Sequence, residues 1–226
     1  MKIVILATEA SGDFLGSELI KAIRFKKKNV QIKGIGGPLM INSKFESWVN
    51  ISKFNAIGIY EVLITLFKFI KLINFTEKKI RNFEPDIIIS IDSPSFNYRL
   101  LKKLSDLKKK NTKFFHYVAP TVWAWKSYRA KLFADLYNKL FVLFEFEKKY
   151  FNKYNLETEI VGHQAFYNRQ PVPLKKKIII FLLGSRTSEI KNNIKEFSVL
   201  IENTIMIYED FSFYILTFEN HLNYFS

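Results

Sequence analysis

The sequence predicts an α/β fold, a doubly wound parallel sheet followed by the start of a second unit of the same kind. Three observations lead there. Short runs such as Ile87 to Ile91 are too continuously apolar for half-solvated strands and suit parallel strands covered on both faces. Segments with apolar residues at helical spacing alternate with those runs, as strands and crossover helices do in such a sheet. The alternation then restarts after a stretch that contains Pro171 and Pro173.

Lys2 to Ala7 reads as the first buried strand. A helix follows the loop Glu9-Ala-Ser-Gly-Asp13 and runs to about Lys28, with Leu15, Leu19, Ile20 and Ile23 as its core stripe. The second strand, Val30 to Ile35, ends in Gly36-Gly37-Pro38, where backbone approaches a ligand or simply turns. A long helix from about Gly58 to Arg81 is apolar over more of its circumference than one stripe requires, with Lys68 and Lys71 in between. It is either buried on most sides or lies on a membrane surface with its lysines toward lipid phosphates.

Glu84-Pro85-Asp86 breaks that helix before the strand Ile87 to Ile91, which delivers Asp92 to a strand-to-helix crevice. On position alone, a capping role and a catalytic role for Asp92 are equal readings. Pro94 forces a turn, and Phe96 to Lys110 reads as a helix with Leu100, Leu101, Leu104 and Leu107 on one side. Further strands are expected at Lys113 to Val118, Lys139 to Phe144 and Glu159 to Val161, and helices at Tyr128 to Tyr137 and Phe146 to Tyr154. The first domain then covers 1–164, a linker 165–177, and a second domain starts at 178 with a strand (Ile178 to Leu183), a helix (Ser188 to Tyr208) and a strand (Phe211 to Phe218). Two strands and one helix do not close such a domain, so the second is expected to be incomplete.

The 226 residues suffice for one domain and part of another, at about 100 to 200 residues per domain. With no cysteine, disulfides, thiolate metal sites and cysteine nucleophiles are excluded. His116, His163 and His221 lack metal-ligand spacing, so no metal and no cofactor is expected. The apolar run Ile3 to Ala7 is too short for a signal-peptide core, and no run approaches the roughly 18 apolar residues that a bilayer span needs. The formal charge of +14 favours anionic partners. Its lysine clusters, Lys26 to Lys28, Lys108 to Lys110 and Lys175 to Lys177, read as solvated surface at element ends, and without a recognition motif nucleic acid is discounted.

Five loops fall at predicted strand ends: Thr8-Glu-Ala-Ser-Gly-Asp13, Gly34-Ile-Gly-Gly-Pro38, Asp92-Ser-Pro-Ser-Phe-Asn97, Tyr117-Val-Ala-Pro-Thr-Val-Trp-Ala-Trp-Lys126 and Gly184-Ser-Arg186. With Val161-Gly-His163 they make the chain resemble the lipid-A-disaccharide synthases, inverting glycosyltransferases of lipid A assembly. The strings Trp-Ala-Trp-Lys and Ile-Asp-Ser-Pro are the specific ones; Gly-Ser-Arg alone says little.

The resemblance implies a B-type glycosyltransferase architecture, with the acceptor on the first domain and the nucleotide sugar mainly on the second. It implies transfer of 2,3-diacylglucosamine from its UDP derivative to the 6-hydroxyl of 2,3-diacylglucosamine 1-phosphate, at the inner face of the cytoplasmic membrane. Asp92 matches the proposed general base, and an inverting transfer needs one group to take the hydroxyl proton. Glu9, Ser11, Gly12 and Asp13 match the family's first loop, where Ser11 and Gly12 offer donors at a helix N-terminus while Glu9 and Asp13 serve equally as caps. Asn97 is expected to orient Asp92 or a substrate hydroxyl, and Tyr117 and Trp123 to line the substrate site, with core packing favoured for at least one of Trp123 and Trp125. Ser185 and Arg186 match a donor-phosphate loop, and His163 is expected to be a hydrogen-bonded hinge residue.

The chain departs from the family pattern at four loop positions. Thr8 stands where the family has Gly, and Glu145, Gln164 and Leu183 stand where it has Pro, each expected to relax a loop. The later segments that hold most of the uridine and diphosphate contacts have no counterpart here, so the donor domain is expected to be cut short and its activity alone is open.

Overall fold

Seven parallel strands form the main sheet, in the order β3-β2-β1-β4-β5-β6-β7. The computed structural model describes residues 1–49, 51, 62–166, 177–184, 187–217 and 222–223. The strands are β1 Lys2–Ala7, β2 Gln31–Ile35, β3 Glu46–Val49, β4 Ile87–Ile91, β5 Lys113–Tyr117, β6 Lys139–Val142 and β7 Glu157–Ile160. The helices of this unit are α1 Ala10–Lys26, α2 Pro38–Asn42, α3 Val62–Phe83, α4 Pro94–Lys103, α5 Ser105–Lys109, α6 Arg129–Leu136 and α7 Lys148–Asn152. The chain divides into two compact units, Met1–Asn168 and Arg169–Ser226.

Burial explains the apolar runs. Ile3, Val4, Ile5 and Leu6 of β1 and Ile88, Ile89 and Ile91 of β4 are all buried, in two clusters on opposite faces of the sheet. Each such side chain contributes roughly 1.5–3 kcal/mol relative to an exposed one. One cluster holds Val4, Leu6, Ile88, Leu100, Leu104, Phe114 and Phe133; the other holds Ile3, Ile5, Ile20, Met40, Ile89 and Ile91. The doubly wound sheet read from the sequence is therefore present.

Helix ends follow local rules. Glu84 adopts φ 51 and its N–H bonds to Ile80 O at 3.1 Å, so α3 stops in a left-handed residue just before Pro85. Asn111, φ 73, ends α5 in the same way, with Thr112 N–H reaching back to Leu107 O at 3.1 Å. The single helix expected over Phe96 to Lys110 is instead two, because Leu104 (φ −99, ψ 11) bonds Leu101 O three residues back and breaks the turn. Leu104 stays buried through that break. Two short elements, α2 and β3, have no sequence counterpart in the expectation.

α3 buries Ile73, Thr76 and Ile80 while Phe67, 73% exposed, and Ile70, 45%, face outward. Its side chains before Phe67, and the expected helix start at 58–61, lie outside the described residues. Arg81 fixes its far end by pairing with Glu77 at 3.1 Å and with Asp106 at 2.8 Å. No helix among the described residues is long and apolar enough to cross a membrane.

The second unit pairs β8, Ile178–Phe181, in parallel with β9, Ser212–Ile215, joined by α8, Thr187–Ile207. Phe181, Leu183 and Ile190 form its buried centre, with Ile179, Ile194, Phe197, Ile201 and Phe213 packed around them. Ile205, expected on that stripe, is exposed.

Candidate active site

The sheet order places the site. β1 sits between β2 and β4, so the chain winds outward in opposite directions from the β1/β4 pair. At such a reversal the loops leaving the C-terminal strand ends diverge and open a crevice. Glu9 follows β1 and Asp92 follows β4, on the two sides of that opening.

Asp92 and Ser93 are consecutive left-handed residues, φ 49 and 44. This costs a non-glycine residue on the order of 1–2 kcal/mol, least for Asp and Asn. Four hydrogen bonds hold the turn. Asp92 N–H donates to Tyr117 O at 2.9 Å, extending the β4–β5 ladder by one bond. The buried Asn97 donates from Nδ2 to Asp92 O at 2.7 Å. The Thr8 hydroxyl donates to Ser93 Oγ at 2.6 Å, and Ser93 Oγ donates to Glu9 Oε1 at 3.2 Å. Thr8, expected to loosen its loop, thus adds a side-chain anchor.

Partial burial pushes the Asp92 carboxyl above the usual carboxylate range. A hydrogen bond from Ser93 N–H pulls in the opposite direction, and the nearby Glu9 charge adds to the rise. Two carboxylates across a crevice, one raised by burial and its neighbour, are a suitable set for proton transfer.

Asp13 is used elsewhere. It is buried, and its carboxylate accepts N–H bonds from Gly37 at 2.8 Å and from Leu39 and Met40 at 3.0 Å, clamping the start of α2 to α1. A Cβ on Gly37 would lie 2.5 Å from Asp13 Oδ2, so the glycine is what lets the carboxylate in. Gly12 lets α1 close on the sheet, since an added Cβ would meet Ala7 Cβ at 3.2 Å. Ser11 is exposed in the first turn of α1. Asn97 orients the Asp92 backbone, and its buried Oδ1 has no hydrogen-bond partner among the described residues. Tyr117 is half-buried, and its ring packs edge-on to Phe141 at 6.5 Å.

Below Asp92, Ser90 Oγ lies 2.7 Å from His116 Nδ1 and 3.1 Å from Tyr137 Oη, all three buried. Desolvation pushes His116 down to about 3, so the ring is neutral, and its Nε2 has no hydrogen-bond partner among the described residues. Desolvation likewise raises the Tyr137 phenol.

The expectation that Trp123 or Trp125 packs in the core is not met: they are 48% and 66% exposed. The loop after β5 runs outward past the buried Val122 and leaves both indoles at the rim, Trp123 edge-on to Phe146 at 5.5 Å. Lys126 Nζ lies 3.9 Å and Arg129 Cζ 5.8 Å from the Trp125 ring centroid, and Arg129 Nη2 donates to Ser95 Oγ at 3.3 Å. Sequence reasoning passed over Arg129, whose signal was a second cation three residues beyond Lys126 at a helix start. It passed over Thr8 and Ser93 as contacts because hydroxyl pairing across two loops leaves no periodic trace. His163 Nδ1 accepts Ala165 N–H at 3.2 Å and its ring stacks on Phe144 at 6.3 Å. Ser185 and Arg186 lie outside the described residues.

The sequence model of the family described as lipid-A-disaccharide synthetase matches residues 3–225. A lipid-A-disaccharide synthase of Rickettsia bellii (strain OSU 85-389) is 40% identical over 221 residues, 92% of this chain and 57% of that protein. The one from Wigglesworthia glossinidia brevipalpis is 36% identical over 206 residues, 85% and 53%. The chain spans little more than half the length of the curated relatives it matches. Among solved structures, a UDP-GlcNAc 2-epimerase from Neisseria meningitidis, bound to UDP-GlcNAc, superposes with a TM-score of 0.67 at 13% identity, covering 98% of this chain and 67% of that one. At that identity the likeness is one of fold.

Proposed function

The chain belongs to the lipid-A-disaccharide synthetase family, and on that premise we propose that it carries the acceptor half of a glycosyl transfer, with Asp92 as general base. The Asp92 carboxylate takes the proton of the 6-hydroxyl of 2,3-diacylglucosamine 1-phosphate. That oxygen attacks the anomeric carbon of UDP-2,3-diacylglucosamine in line, the new C–O bond forms as the bond to UDP breaks, and UDP leaves with the electron pair. The carrying observation is the half-buried Asp92, raised above the usual range, at the β1/β4 reversal. Burial raises that carboxyl and the Glu9 charge adds to the rise, while Glu9 also fixes the turn through Ser93. Asn97 and Tyr117 hold its backbone and Thr8 braces the Ser93 hydroxyl; Ser11 and Gly12 offer N–H groups at the start of α1, and Trp123 an exposed ring. Ser185 and Arg186 are assigned to the donor diphosphate.

Acylated substrates suit a membrane surface, and with a nucleotide sugar as donor we assign the reaction to the cytoplasmic face of the inner membrane. The outward Phe67 and Ile70, with the lysines of α3, support a peripheral contact there. The test is UDP release from the two substrates with vesicles present. Transfer by the wild type and a 10²- to 10⁴-fold loss in Asp92→Asn support the base; unchanged turnover in that variant sinks it. Acceptor binding without any transfer supports the second reading, a non-catalytic acyl-sugar binder at the membrane surface.

A further inference from the structure

We propose that Lys126, Arg129 and Ser95 form a subsite for a phosphate monoester, the anomeric phosphate of the acceptor sugar. This rests on the glycosyl-transfer reading above. Two cations stand over the one Trp125 ring, and among the described residues neither Lys126 nor Arg129 is paired with a carboxylate. Like charges held together without a counter-ion repel, and an anion between them removes that cost.

The cations are placed by the backbone and are not loose on the surface. Lys126 is a left-handed residue, φ 54, at the end of the Trp-Ala-Trp turn, and Arg129 opens α6. Both are half-buried, and Arg129 is tied to Ser95 Oγ at 3.3 Å. Ser95 lies in the first turn of α4, where its own N–H has no acceptor among the described residues and its hydroxyl hydrogen is free once Oγ has accepted from Arg129. A planar guanidinium, an ammonium, a hydroxyl and a helix-start N–H are the donor set that a tetrahedral dianion takes.

Position selects which phosphate. Ser95 is three residues beyond Asp92, in the first turn of the helix that the left-handed Asp92–Ser93 turn leads into. A hexose 1-phosphate carries its phosphate on C1 and its hydroxymethyl on C5, the two carbons that flank the ring oxygen, so a phosphate anchored at Ser95 and Arg129 keeps the 6-hydroxyl within one sugar's reach of Asp92. The indole of Trp125 then floors the sugar next to its charge.

Calorimetric titration of the full chain with glucosamine 1-phosphate and with glucosamine tests this. The phosphate is expected to tighten binding at least tenfold. Lys126→Gln and Arg129→Gln are expected each to weaken glucosamine 1-phosphate by about tenfold with unchanged circular dichroism, and Arg129→Lys to recover part of it. Equal affinity for the two sugars in the wild type, or full affinity in the Lys126→Gln, Arg129→Gln double variant, overturns the subsite. So does a double variant that loses phosphatidylglycerol vesicles and keeps the sugar phosphate, which assigns the cations to lipid headgroups. Phosphate-dependent binding through these residues without any sugar transfer leaves the subsite standing and refutes the catalytic reading. Transfer with full affinity in the double variant does the reverse.

Discussion

Ser93 donates its hydroxyl hydrogen to Glu9 at 3.2 Å, joining the loop after β4 to the loop after β1 across the mouth of the crevice. The same Glu9 carboxylate is one of the causes that hold Asp92 above the usual carboxylate range, after burial itself. One acidic side chain therefore both braces the turn and tunes the group it presents.

Replacing that charge gives the first prediction. A general base works deprotonated, so a raised Asp92 cuts activity off at a higher pH on the acid side than an ordinary carboxylate does. Glu9→Gln removes the repulsion and is expected to move the acid limb of the pH profile of kcat/KM to lower pH. A limb that stays in place or moves up refutes the coupling.

Asp13 and Asp92 should separate cleanly. Asp13→Ala leaves three backbone N–H groups without their acceptor, at roughly 1–3 kcal/mol of stability, and should lower Tm by several degrees. Asp92→Asn should do the opposite. An acid whose folded pKa is raised disfavours folding once it is charged, so stability is lost as pH rises through that pKa, and the neutral amide avoids this. Thermal scans at pH 7.5 of both variants decide it.

His116 predicts an acid weakness. Its folded value is pushed down to about 3 while the unfolded ring titrates near 6.5, so between those limits the unfolded chain binds a proton that the fold does not. Stability is intact above the unfolded value and falls as pH drops below it, by up to about 1.4 kcal/mol per pH unit for this one group. Urea midpoints from pH 7 to 4 should fall less steeply in His116→Gln, which keeps a partner for Ser90. Parallel slopes would show that the ring does not titrate on unfolding.

The outward face of α3 predicts a membrane effect. Phe67→Ser and Ile70→Ser should each weaken binding to phosphatidylglycerol vesicles about tenfold or more, from roughly 1.5–3 kcal/mol per buried side chain, with Tm unchanged. Equal sedimentation of wild type and double variant removes α3 from the contact.

β1, β4 and β8 were legible because their placement in the sheet is written as near-continuous Ile, Val and Leu, and Asp92 because such a run ends on it. The site's supports were not. Asp13 reads in sequence as part of a loop motif, yet three backbone amides from the turn after β2 occupy it, and backbone donors have no residue signature. β3 escaped because a four-residue edge strand with Glu46, Ser47 and Trp48 carries little periodicity. The split at Leu104 escaped because a three-residue hydrogen bond leaves the leucine spacing of the expected helix almost undisturbed. The indoles misled for a simpler reason: large aromatic side chains are usually buried, and only the placement of their loop puts these two at the rim.

The reversal of strand order also governs when the protein can acquire its site. Glu9 and Ser93 are 84 residues apart, and Thr8 meets Ser93 over 85. Contacts of that separation are slow to close and form only with the sheet as a whole. A nascent chain that has displayed β1, α1 and β2 still has one bank of the crevice and no opposite bank. Synthesis must release β4 and the first turn of α4 before Asp92 meets Glu9, so the crevice is expected to form with the final collapse of the first unit, with no earlier half-built stage.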